Sequence, residues 1–412
     1  MKLLKRTTKN LTPLILLILA GESVFFLPFV IPRIFRPSVL SVYEISNTEL
    51  GSYFSVYGIV AMISYFIGGP LADKFQPKLL MGLGLVLTAL GGFSVAIYPV
   101  LMGVFLYGYW GCTTILLFWA ALIKSTRLWG GEHTQGRAFG LLEGGRGALA
   151  AILGTIGAAV FATQMEATNL DNVASFKLVL IVTSSITFFA GVLVYLGLPT
   201  VTSKSLAGSA FEMKGLKSVM KNKRLWLQSI IVICAYVGYK ITDDFSLYAQ
   251  DVLGFDEVQS SMVGTGAIWL RPLFALAAGF LADKISGIRV ISISFLISGI
   301  GGILLFSGII SGGAVVSLLN LSAISAGIYG IRGVYFAIMG DAQISLAHTG
   351  TAVGVISVVG YTPDVFVSPL MGYLLDNYPG ILGHQYVFGV LALFSICGLL
   401  VSLIFRKTKE VA

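Results

Sequence analysis

The chain has 412 residues, of which 56% are hydrophobic and only 11% charged, and its mean hydropathy is +0.89. A soluble domain carries about 25% charged residues, so composition excludes an ordinary soluble enzyme and places the chain in the membrane class. The net charge of +8 reads as basic loops against an anionic leaflet, not as a nucleic-acid surface. Cys112, Cys234 and Cys397 all lie in apolar runs, so no disulfide framework is implied. His133, His348 and His384 are widely separated, which leaves no metal-ligand spacing. No P-loop, Gly-x-Ser-x-Gly or His-Glu-x-x-His pattern is present, so neither a cofactor nor an enzyme is expected.

Met1 to Phe29 is basic and then apolar, as a signal peptide is. The apolar part is long, carries Glu22 and lacks a small-residue cleavage site, so it reads as a retained first span. At about 20 residues per span, the apolar runs predict twelve spans, at 12–31, 48–72, 79–98, 100–123, 138–162, 174–198, 225–249, 258–282, 288–309, 312–340, 349–375 and 384–405. With this layout twenty lysines and arginines fall in loops on one side and three (Arg33, Arg36 and Lys177) on the other. That bias predicts that both termini are cytoplasmic. The long connection Thr200 to Arg224 holds six basic residues and one acid, Glu212. It is expected to join two six-helix bundles, 1–199 and 225–412, across a basic linker at 200–224. Phe211 to Trp226 reads either as an amphipathic helix on the inner leaflet or as a plain tether.

Two patterns repeat once per half. Gly69-Pro70-Leu71-Ala72-Asp73-Lys74 returns as Gly279-Phe280-Leu281-Ala282-Asp283-Lys284, with the aspartates 210 positions apart. In each copy Leu-Ala-Asp-Lys is expected to form a tight polar turn between two spans. Gly136-Arg137-Ala138-Phe139-Gly140 opens the fifth span, and Gly350-Thr351-Ala352-Val353-Gly354 opens the eleventh. Gly-x-x-x-Gly lets helices approach closely, and its placement supports duplication.

The twinned Gly-x-Leu-Ala-Asp-Lys resembles the signature loop of the major facilitator superfamily. Pro70 and Gln76-Pro77 depart from that family's usual pattern. The resemblance implies an all-α fold of two pseudo-symmetric six-helix bundles and transport by alternating access. It also implies a gate on one side, which places Gly69, Asp73, Lys74, Asp283 and Lys284 there, with Arg127 and Arg137 as partners of Asp73. A lone arginine in span eight is similar to the oxalate/formate and monocarboxylate branches, although span eleven here carries Asp364 in place of a basic residue. The absence of arginine from span two argues against the nitrate porters. Gly360-Tyr361-Thr362-Pro363-Asp364 resembles a bacterial subgroup that includes a transporter found beside sulfosugar-degradation genes.

Four basic residues fall inside predicted spans: Arg146, Lys240, Arg271 and Arg332. A charge in the membrane faces a cavity or a partner. Counted from the cytoplasmic ends, Arg146 and Arg332 lie about 14 Å deep and Arg271 about 18 Å. A guanidinium offers a planar fork of donors to carboxylate, phosphate or sulfonate. The competing reading is structural pairing: Glu143 stands one turn before Arg146, Lys240 precedes Asp243 and Asp244, and Arg271 has no local acid. Trp269, Tyr335 and Tyr361, beside these charges, join the expected substrate contacts. Glu22 has no basic residue within four positions and leads the proton-coupling candidates, with Asp364 and Glu143.

The expected function is secondary transport of a small organic anion, proton-coupled, with sodium as an alternative ion, by a monomer in a bacterial inner membrane. An exporter of a zwitterionic or amphipathic metabolite is the alternative. A membrane receptor or membrane enzyme is a remote one.

Overall fold

The computed structural model describes residues 11–130, 135–169, 171–200, 220–310, 313–339, 342 and 349–410. Every regular element among them is helical. Twelve rods follow in order: α1 Thr12–Ile34, α2 Asn47–Lys74, α3 Pro77–Ile97, α4 Val104–Gly130, α5 Gln135–Ala167 and α6 Asn172–Gly197. Then come α7 Lys223–Asp251, α8 Glu257–Ile285, α9 Gly287–Phe306, α10 Ala314–Val334, α11 Thr349–Gly360 with Pro363–Asn377, and α12 Ile381–Glu410. Among the described residues, eleven helices are long and apolar enough to cross a membrane. The remaining rod, α2, runs for 28 residues beside them. A 30 Å hydrocarbon core needs about 20 helical residues, so each rod is long enough to span.

Local signals set the ends. α2 and α8 both open on capping boxes, Ser46 with Glu49 and Asp256 with Gln259, which satisfy otherwise orphaned helix amides. α3 begins on Pro77, and the second piece of α11 on Pro363, where a missing N–H does no harm. α1 carries a π-helical turn over Phe26–Val30, and α4 another over Cys112–Trp119.

Three expectations change. Leu-Ala-Asp-Lys is not a turn: it is the last helical turn of α2 and lies within the last turns of α8. Leu, Ala and Lys are strong helix formers, and the chain reverses at Phe75-Gln76 and at Ser286, whose φ is 99°. Arg33 and Arg36 are not loop residues. Helix continues through Ile31–Ile34 and Arg36–Tyr43, and both guanidiniums are buried. The proposed interfacial helix at 211–226 lies largely outside the described residues. The side chains of Gly69, Asp73, Lys74, Arg127, Arg137 and Asp283 lie outside the described ones, as do those of Gly350 and Gly354, whereas Lys284 is exposed.

Two of the buried apolar clusters draw on residues between Leu17 and Leu198, with Ile268 as the one addition from beyond. Two more draw on residues from Leu225 onward. Large apolar side chains such as Phe105, Leu196, Leu273, Phe280 and Leu319 remain exposed on the outside, where a membrane protein meets lipid rather than water.

The polar ties between the first six rods and the last six, among the described residues, run from the middle of the molecule to the face distal to both chain ends. Asp376, at the end of α11, accepts from the backbone amides of Asn47 and Thr48 at 3.0 and 2.6 Å, so one half caps a helix of the other. Glu257, at the start of α8, accepts from Ser38 and Asn172, both at 3.0 Å. Between these ties α2 and α11 touch backbone to backbone. A Cβ on Gly51 would strike the Ser368 carbonyl, and one on Gly372 the Asn47 carbonyl. Removing the cap in Asp376→Ala is expected to weaken this distal closure by about 1 kcal/mol. Distances measured across the distal face should show the open population rising accordingly.

Candidate functional site

Most of the ionisable side chains predicted inside the membrane gather into two groups within the bundle. In the first, α1, α5 and α8 converge. Arg146 Nη1 donates to Glu143 Oε1 at 2.6 Å, and its Nε lies 3.3 Å from Glu22. Arg271 lies 3.5 Å from Glu143 and 4.0 Å from Glu22. Two carboxylates and two guanidiniums alternate around this quartet. Glu22 thus has two cations beside it, and Arg271 two acids, although neither has a partner nearby in sequence. Arg146 also sits over the rings of Phe25 and Trp119, at 5.5 and 5.8 Å. The Glu143 side chain is 50% exposed while bonded to two arginines that face the bundle interior.

The second quartet lies toward the distal face, where α1, α7 and α11 meet. Arg33 Nε contacts Asp243 Oδ1 at 2.5 Å. Lys240 Nζ lies 3.4 Å from Asp243 and 3.6 Å from Asp364, and packs over Phe29 and Phe54 at 4.9 and 4.5 Å. Tyr236 donates to the Asp364 carboxylate at 3.1 Å. Ser246 Oγ donates to the Arg33 carbonyl at 2.9 Å, a second tie between α1 and α7. This quartet is also balanced, two charges against two.

Arg332 belongs to neither. Among the described residues it has no carboxylate within 4.0 Å, and its Nη1 is buried with no hydrogen-bond partner. Tyrosines surround it. The guanidinium lies 3.8 Å from the Tyr239 ring centre and 5.7 Å from that of Tyr236. Tyr236 packs against Tyr361 at 4.9 Å, and the Tyr335 and Tyr361 hydroxyls are 3.5 Å apart. The Tyr239 hydroxyl accepts from Arg33 at 2.7 Å, so one ring joins Arg332 to the distal quartet. α10 brings Arg332 here and α11 brings Tyr361, at the break between its two pieces.

Arg332 is partly buried, with Glu143 its carboxylate at longer range, and a desolvated guanidinium nitrogen without an acceptor is unfavourable. Among the described residues one other arginine outside the quartets has such a nitrogen. Arg36, 1% exposed, donates only to Asn47, at 2.8 and 3.0 Å, and is sealed inside the distal closure. Arg332 is instead partly exposed, among the tyrosines.

The structure thus brings together Arg146, Arg271, Glu22 and Glu143, and separately Lys240 and Asp364, and gathers Tyr335 and Tyr361 near Arg332. Trp269 stands apart, donating to Thr155 across α8 and α5 at 2.9 Å. Sequence reasoning missed Arg33 and Tyr236. The signal available for Arg33 was Pro32 within an unbroken apolar run, which marks a helix start rather than a loop.

The fold and this interior together define a membrane transporter. A model of the Major Facilitator Superfamily matches residues 11–366, and the chain belongs to that family, one of transporters rather than enzymes. The inner membrane protein YihN of Escherichia coli is 28% identical over 408 residues, covering 95% of this chain and 94% of that protein. YqcE, another inner membrane protein of Escherichia coli, is 28% identical, with 88% and 87% covered. Among solved structures, a bacterial homologue of the human lysosomal transporter Spinster, inward-facing and occupied, superposes with a TM-score of 0.71 at 12% identity, covering 98% of both chains. The nucleoside transporter NupG, as a D323A mutant, does so at 0.69 and 15% identity, with 97% and 99% covered.

Proposed function

We propose that this protein is a secondary transporter for a small organic anion, with Arg332 as the residue that grips the anionic group. The observation that carries this reading is the charge balance of the interior. Around the two quartets five cations, Arg33, Arg146, Lys240, Arg271 and Arg332, face four carboxylates, Glu22, Glu143, Asp243 and Asp364, with buried Arg36 and Asp244 set apart in the distal closure. Both quartets are balanced and Arg36 is held by Asn47 in the distal closure, so the cation left for a solute is Arg332. An incoming carboxylate, sulfonate or phosphate ester would supply the missing counter-ion and the missing hydrogen-bond acceptor together. Tyr236, Tyr239, Tyr335 and Tyr361 would hold the rest of the solute by ring contact and hydroxyl bonding.

Residues 1–199 and 225–412 act as two bodies that rock about this centre, joined by the basic linker 200–224. On this reading the state tied on its distal face corresponds to the one that opens toward the chain ends. The positive-inside bias makes that side the cytoplasm. Asp73 and Asp283, with Arg127 and Arg137, would hold the opposite gate. Substrate shifts the two states only through its different affinity for them. Asp364 is the best placed of the three acids to carry a coupling proton. It shares one lysine with Asp243 and reaches the tyrosine cage through Tyr236, whereas Glu22 sits between two arginines as a fixed counter-ion. Arg271, matched by two acids, orders the interior rather than gripping the solute.

A non-transporting sensor is the second reading. One observation favours it: a relative in Escherichia coli, 23% identical over 60% of this chain, is named the membrane sensor protein UhpC. Counterflow in proteoliposomes separates the two. Labelled gluconate, isethionate or glycerol 3-phosphate should accumulate transiently when the same anion is loaded inside, and Arg332→Gln should lower the rate by about 100-fold, the loss of a charge-assisted bond of roughly 3 kcal/mol. Binding of one of these anions without counterflow would establish the sensor reading instead.

A further inference from the structure

A third group of ionisable side chains lies on the distal face, outside both quartets. His384, near the start of α12, is buried. Its Nδ1 is 2.8 Å from Asp244 Oδ2, and its Nε2 is 3.3 Å from Asp251 Oδ2. Asp244 is fully buried, and its second oxygen has no hydrogen-bond partner. Asp251, at the distal end of α7, has a side chain 38% exposed. The imidazole therefore links a carboxylate at the surface to one in the interior.

Beside the trio stand Asp243, next to Asp244 on the same turn, and one arginine. From α7, Tyr248 meets the imidazole edge-on at 5.5 Å, and its hydroxyl is 3.4 Å from Ser317 of α10. From the short helix Arg36–Tyr43, Arg36 is within electrostatic reach of Asp243 and Asp244 but hydrogen-bonds to Asn47. Among the described residues no lysine or arginine forms an ion pair with the trio, and Asp376 of α11 acts on the same Arg36.

Asp244 is next in sequence to Asp243, and both sit on the single 3-10 turn Thr242–Asp244 that interrupts α7. Asp243 makes the 2.5 Å tie to Arg33 in the other half. One rigid turn therefore carries the histidine's partner on one residue and the tie between the halves on the next.

We propose that Asp251, His384 and Asp244 form a proton-binding site, open to the distal solvent, that controls closure of the distal face. The inference rests on the two-state carrier reading above. A proton from solvent reaches Asp251, moves to His384 Nε2 as the carboxyl O–H bond breaks and the N–H bond forms, and leaves by the same route. With the proton bound, an imidazolium donates to both carboxylates and pins the turn, so Asp243 stays on Arg33. Once it is lost, the imidazole has one N–H for two carboxylates. The turn is released, and the distal face opens. Closure is thus favoured by acid at the distal face and opening by base. Neither Glu22 nor Asp364 provides this switch, because neither reaches the distal surface.

The test uses the full chain with Cys112, Cys234 and Cys397 changed to serine, and with spin labels on Val100→Cys and Ile309→Cys. These exposed distal residues stand on opposite halves. Distances are recorded across about pH 5 to 9, the range in which histidine switches. The long-distance population should grow as pH rises, with a single midpoint. His384→Gln should abolish the response, and Asp251→Asn should move the midpoint by about one pH unit. A wild type without pH response overturns the proposal. So does a His384→Gln protein that is more open at every pH but keeps the midpoint, since that marks a purely structural histidine. Should His384→Gln fail to fold, Asp251→Asn decides alone: an unmoved midpoint overturns the proposal. The readout needs no substrate, so its failure is distinct from a failure of the anion reading.

Discussion

Gly372→Leu is expected to hold the distal face open. The added Cβ alone would strike the carbonyl of Asn47, and the Cα of Thr48 lies 2.7 Å from it. These are backbone atoms of another helix, so no rotamer change relieves the collision. α2 and α11 must separate, and the Asp376 cap on Asn47 and Thr48 goes with them. Overpacking at such sites destabilises by about 1–3 kcal/mol, which amounts to a roughly 5- to 150-fold shift from closed to open. Gly51→Leu, which meets Ser368 and Pro369 across the same seam, should act alike. The same distal spin-label pair checks both variants. Unchanged distances in a folded variant would mean that the seam does not hold the closed state.

Glu22→Gln is expected to destabilise the protein by about 3–5 kcal/mol, the usual result of removing one partner from a buried ion pair. It leaves Arg146 and Arg271 sharing Glu143 alone. Adding Arg271→Gln restores the balance, so the double variant should recover much of the loss rather than add to it. Thermal unfolding of the three variants checks this. Simple addition of the two effects would show that Glu22 and Arg271 are not coupled.

The repeated Leu-Ala-Asp-Lys and the twenty-residue apolar runs made the architecture legible, because spanning a bilayer imposes length and composition on each helix. Span eleven was expected unbroken over 349–375, whereas the helix ends at Gly360 and restarts on Pro363, where a missing N–H does no harm. The site was legible only where partners share a helix turn. Arg146 with Glu143, and Lys240 with Asp243, are three residues apart. Glu22 looked unpaired and Arg271 looked free because their partners arrive on other helices, at separations that no local pattern records. Arg33 was assigned to a loop, since polar residues were taken to end the first span, whereas an ion pair and a tyrosine hydroxyl let it stay buried. His384 gave no sign at all, since Asp244 and Asp251 lie 140 and 133 positions away.

The charge imbalance at Arg332 is tested most directly by thermal unfolding of the purified protein with gluconate, isethionate and glycerol 3-phosphate, in wild type and Arg332→Gln. A ligand at 100 times its Kd stabilises by about 2.7 kcal/mol. At least one of these anions should raise the wild-type melting temperature, and that rise should vanish in Arg332→Gln while persisting in Arg36→Gln. Equal stabilisation with and without Arg332, or stabilisation by cations alone, would contradict the account.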